Sequence, residues 1–129
     1  MKMTVLALAA ALVLVAPAAT AQPAAPSAQP VPLFLFMYRP GPAWEAGKPM
    51  QQQKLGPHGA YMRKLTAEGR VVAGGPWLDV EGGMGIVRAA SLDEAKAVLA
   101  ADPAITSGVF TAEIRTWQLM VDSGKPLRP

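Results

Sequence analysis

The residue best suited to acid–base chemistry is His58, the only histidine in the chain. An imidazole's ordinary titration range brackets neutral pH, so it can take a proton and give it back. There is no cysteine, and no serine is paired with the histidine in sequence, so covalent catalysis has no support. One histidine and no cysteine also leave no dedicated transition-metal site. Gly82-Gly83 and Gly85 lie in an expected hairpin rather than between a strand and a helix. They therefore form no phosphate-cradling fingerprint. The residue types leave cofactor-free general acid–base chemistry on a small molecule. A histidine that only caps an apolar stripe, bonded to a backbone carbonyl, is the competing reading and stays open.

His58 must be positioned by a helix. His58, Tyr61, Met62 and Leu65 fall at i, i+3, i+4 and i+7 and share one face, while Arg63, Lys64 and Glu68 point to water. Gly56-Pro57 reads as the helix entry, proline occupying the first turn where its missing N–H costs nothing. That sets His58 beside the positive end of the helix dipole, which favours the neutral ring a general base requires. Gly69 supplies the left-handed residue that closes the helix. Arg70-Val-Val-Ala73 follows as a short strand that Gly74-Gly-Pro76 is expected to stop.

Two loops carry further candidate substrate-binding residues. Arg39 to Gly56 is a long connection punctuated by Pro40, Gly41, Pro42, Gly47 and Pro49, and connections of this length are often functional. Trp44 within it is a candidate pocket residue, the alternative being a tryptophan packed on its own loop. Trp77 to Gly83 reads as a hairpin loop presenting Trp77 and Asp79.

The remaining elements complete the order. Val31 to Tyr38 is the first strand, with Leu33, Leu35 and Met37 on one face and Phe34, Phe36 and Tyr38 on the other. Met84 to Ala89 is the third. Ser91-Leu-Asp-Glu94 is a capping box opening a helix to about Ala100, which Pro103 ends. Gly108 to Val121 is the last strand. The order β-α-β-β-α-β predicts an α+β, ferredoxin-like domain, an antiparallel sheet with two helices on one face. Two helices cover one face only, so a first strand apolar on both faces predicts a homodimer.

Outside that domain, Met1 to Ala21 reads as a signal peptide: a basic start, an apolar run and Ala19-Thr20-Ala21 as the cleavage site. The expected location is periplasmic or secreted, with no membrane attachment after cleavage. Residues 22–30 read as a disordered Ala/Pro/Gln lead-in, 31–121 as the domain and 122–129 as a tail. Without cysteine the fold rests on packing and association, not disulfides. The twelve basic residues are scattered among nine acidic ones, which argues against nucleic acid as a partner.

Taken together, His58-x-x-Tyr-Met-x-x-Leu-x-x-x-Gly69, Val72-x-Gly-Gly-Pro76, Ser91-Leu-x-Glu-Ala95, Ala101-Asp-Pro103, Gly108-Val-Phe110 and Trp117 resemble the YCII-related (YciI-like) family. The resemblance spans about Val31 to Leu119. It implies a dimeric α+β barrel with two sheets packed face to face, and a histidine–aspartate pair that falls here on His58 and Asp102. One branch of that family eliminates chloride from a chlorinated ring-cleavage product. Leu55 stands where many relatives carry arginine, and Ala104 where many carry an aromatic residue. Arg39 is the candidate substitute for the missing cation. Two functions follow as expectations: a lyase- or isomerase-type enzyme using His58 and Asp102, or a non-catalytic small-ligand-binding homodimer.

Overall fold

A computed structural model describes residues 32–126. The expected signal peptide and lead-in lie outside the described residues. Four strands form one antiparallel sheet: β1 (Leu33–Pro40), β2 (Val71–Pro76), β3 (Gly83–Arg88) and β4 (Phe110–Trp117), in the order β2-β3-β1-β4. Between them run α1 (Gly56–Ala67), α2 (Leu92–Ala100) and the short α3 (Pro103–Thr106). This is the ferredoxin-like α+β fold, with one short helix more than the sequence pattern predicts.

Alternation along β1 decides where the core lies. Phe34, Phe36 and Tyr38 are buried and join Val87, Leu65, Val98, Leu99 and Phe110 in one cluster beneath the helices. Each such side chain contributes about 1.5–3 kcal/mol on burial. The opposite face, with Leu35, Met37, Met84 and Ile86 side by side, is only half-buried. Among the described residues no helix lies over it.

Local chemistry explains most element boundaries. After α1, Gly69 at φ 72° lets its N–H reach Thr66 O and the N–H of Arg70 reach Leu65 O, the paired bonds of a Schellman ending. Ser91 caps α2 by accepting from Glu94 N at 3.1 Å. The glutamate's other arm accepts from Ala90 N, one residue earlier than a standard capping box.

Three expectations need correction. β2 does not stop at Gly74 but runs through Gly75 and Pro76, each paired with β3. It is an edge strand, where a missing proline N–H leaves no ladder bond broken. Pro103 not only ends one helix but opens another, α3, because it sits at the first turn and Asp102 caps it. The last strand spans Phe110–Trp117, shorter at both ends than Gly108 to Val121.

The long loop after β1 is held rather than loose. Its first residues keep pairing, Gly41 N with Val109 O and Ala43 N with Gly108 O, each at 2.9 Å. A Cβ on Gly41 would meet Gly108 O at 2.3 Å, so only glycine allows this approach. Buried Gln53 then makes three bonds across the loop: it donates to Glu45 O and Lys48 O and accepts from Glu45 N.

Candidate active site

Asp102 stands in the turn between α2 and α3 with an extended backbone, its residue fully buried. A buried carboxylate is costly unless donors surround it. Here Tyr38 Oη donates to Oδ2 and Ala104 N–H donates to Oδ1, both at 2.9 Å. His58 Nδ1 lies 2.9 Å from both oxygens. One side chain thus both caps α3 and partners His58.

The donors fix the tautomer by argument. Each carboxylate oxygen already accepts a bond, so Asp102 offers His58 only lone pairs. The ring's Nδ1 carries the hydrogen and donates it, which leaves Nε2 as the free base. Tyr38 and Phe110 wall the imidazole edge-on, with centroids 5.3 and 5.7 Å away. Burial first, then the Asp102 charge and the hydrogen bond to it, with Tyr61 least, push the Tyr38 phenol far above its ordinary range. Tyr38 therefore remains a donor at any working pH.

His58 is the part of this set that meets solvent: its side chain is 18% exposed against 1% for Asp102. It borders a cavity of about 750 Å³ between α1 and the β2–β3 side of the sheet. Tyr38, Met62, Arg63 and Gly83 also line this cavity, and Met50 and Leu55 close it from the braced loop. A site with a fixed base, apolar walls and room for a small molecule can move a proton on a bound carbon or oxygen acid. Among the described residues no three of His, Cys, Asp or Glu come together as a metal-binding group.

The residues singled out in the sequence are not all gathered here. His58 and Asp102 are brought together. Arg39 lies on the opposite face of the sheet, paired with Glu113 at 3.1 Å. Trp44 packs inward, stacked on Phe110 at 5.5 Å, and does not line the cavity. Trp77 and Asp79 are exposed in the β2–β3 loop, outside the cavity lining. Arg63, which helical periodicity assigns to water, is exposed as expected and also borders the cavity. Tyr38 was legible only as a strand residue, although a tyrosine on the buried face of a strand already demands a partner for its hydroxyl.

Known proteins share the domain and the fold. The YCII-related domain matches residues 33–118. An uncharacterised protein, YjpA, of Bacillus subtilis (strain 168) is 35% identical over 68 residues, 53% of this chain and 80% of that protein. Among solved structures, 5-chloro-2-hydroxyhydroquinone dehydrochlorinase (TftG) of Burkholderia phenoliruptrix AC1100, in complex with 2,5-dihydroxybenzoquinone, is similar. Its TM-score is 0.50 at 26% identity, over 67% of this chain and 93% of that one. With the family's domain spanning all four strands and the whole candidate site, the chain belongs to the YCII-related family.

Proposed function

We propose that this is an exported, homodimeric YCII-related enzyme that performs general acid–base chemistry on a small molecule, of elimination, lyase or isomerase type. The observation that carries the reading is His58 Nδ1 at 2.9 Å from a fully buried Asp102, on the wall of a cavity large enough for a substrate. In an elimination, His58 Nε2 takes a proton from carbon. The electrons of that C–H bond form the new double bond, and a leaving group X departs as X⁻ from the adjacent carbon. The net change is loss of HX, with the proton then released from His58. Asp102 keeps Nδ1 protonated and stabilises the imidazolium that forms. In an isomerisation the same nitrogen returns the proton at another atom. The likeness to a dehydrochlorinase supports this class of reaction.

The test is proton exchange. The purified chain is incubated in deuterated water with hydroxylated cyclic ketones and with 5-chloro-2-hydroxyhydroquinone, following deuterium uptake and chloride release. His58→Ala is expected to lose about 10²–10⁴-fold of the activity, with its circular dichroism unchanged. Equal rates in parent and variant would sink the reading. A second reading, a non-catalytic binder, is favoured by Asp102 serving α3 as its cap. It expects a ligand to bind with no exchange at all.

A further inference from the structure

The charge around the cavity is one-sided. Its lining includes Arg63 and His58 but no Asp or Glu. Asp102, the nearest acid to the ring, is shut behind it and fully buried. Among the described residues Arg63 and Arg88 make no salt bridge, and of these only Arg63 borders the cavity. Its guanidinium folds back along α1 towards the histidine's end, since a methyl built on Gly59 would come 3.3 Å from Nη1. The first turn of α1 carries no acidic residue, so the positive end of its dipole adds to the same field. An apolar-walled cleft with one sign of charge concentrates ions of the other sign.

The floor of the cavity is low, mostly glycine. Gly74 pairs with Gly85 and Pro76 with Gly83, and alternation sets Gly74, Gly83 and Gly85 on the helix-facing side, with Val87. Across that stretch only the compact ring of Pro76 rises from β2 and β3. Met62 closes over Gly85, where a methyl would sit 3.4 Å from its Cε. Met62 thus fills the space above Gly85, and the low surface left open beside it, formed by Gly74, Pro76 and Gly83, suits a flat molecule.

We infer that the cavity binds a planar organic anion, its sp² ring lying over the glycine floor and a negatively charged oxygen paired with Arg63. This rests on the functional reading above and narrows its substrate to acids on a flat framework, either a carboxylate or an acidic enol. Arg63 thus takes the role that the sequence suggested for Arg39, from the correct side of the sheet. The guanidinium fork matches two oxygens at once, which makes carboxylates and vicinal or vinylogous oxygen pairs good partners.

Four probes separate charge from shape: benzoate, its neutral counterpart benzamide, the non-planar anion cyclohexanecarboxylate, and 2,5-dihydroxybenzoquinone as the acidic enol. Binding is read by calorimetry and by NMR of the single His58 ring, which reports occupancy of this cavity and no other. Benzoate or the quinone should shift the His58 signals and bind about tenfold more tightly than benzamide and cyclohexanecarboxylate. Whichever of the two binds more tightly identifies the acid. Arg63→Gln should erase the preference for benzoate over benzamide, and Arg39→Gln should leave it intact. Benzamide binding as well as benzoate, Arg63→Gln binding benzoate like the parent, or no probe moving His58 would each overturn the inference. Because the readout is binding, it stands apart from turnover: anion binding without proton exchange removes the enzyme reading alone, and exchange without anion preference removes this one alone.

Discussion

The hydroxyl of Tyr38 is where burial and charge act on one proton. The folded protein holds that proton far above the ordinary tyrosine range, mainly through burial and then through Asp102, whereas the unfolded chain releases it near pH 10.0. Above that pH the unfolded state binds fewer protons than the folded one, so stability falls as pH rises through it. Tyr38→Phe keeps the ring against His58 and Phe110 and removes only the bond to Asp102. Urea unfolding at neutral pH should find the variant about 1.5–3 kcal/mol less stable, the worth of a hydrogen bond to a charged group. Above pH 10 its decline should be shallower than the parent's. Tyr61, raised by burial and by Asp102, keeps some slope in both. Parallel declines would mean that Tyr38 does not hold its proton in this way. The sequence showed His58 by its being alone, and Asp102 by family resemblance. It could not show Tyr38, because strand alternation reveals that a side chain is buried but not which acid, 64 positions away, receives it.

At the scale of elements, signals carried within a few residues were read well. Gly69 ends α1 and Ser91 opens α2 as their local chemistry requires. What was misread depends on partners distant in sequence. Gly74-Gly75-Pro76 looks like a terminator until β3 lies beside it, and then the missing Cβ of Gly74, which would stand 3.0 Å from Met84 O, eases the approach. Gly83 gives the sharpest test: a Cβ there would stand 2.6 Å from Gly75 O, with backbone and no flexible atom in the way. Gly83→Ala should cost about 2 kcal/mol or more and loosen β2 in amide exchange, whereas Gly75→Ala, whose Cβ meets nothing within 4 Å, should stay within about 0.5 kcal/mol of the parent. Equal effects would mean that β2 does not pair in this register. The same dependence on context hid α3, since Pro103 reads as a stop and acts as a start only when Asp102 is turned to cap it.

For the whole molecule, the unmatched feature is the second face of the sheet. Leu35, Met37, Met84 and Ile86 form an apolar strip across its centre, while Trp117 on the same face remains 36% exposed. Exposed apolar area of this kind marks an association surface. Arg39, Glu113 and Arg115 fringe it with charges of both signs. The proposed homodimer packs two such faces together. Light scattering at micromolar concentration should give twice the chain mass for the parent and one chain mass for Leu35→Asp, with circular dichroism unchanged. A parent that runs as a single chain would end the proposal.

The β2–β3 loop has a consequence for how the molecule is divided. Residues 77–81 are an exposed link near the middle of the described residues, and Leu78 within them is 99% exposed. Everything before the loop holds the imidazole and the phenol, and everything after it holds the carboxylate and Phe110. Neither half contains an acid–base pair. Severed at Leu78–Asp79, the chain becomes two pieces that each carry half of the proposed pair, so that contact between His58 and Asp102 itself registers their reunion.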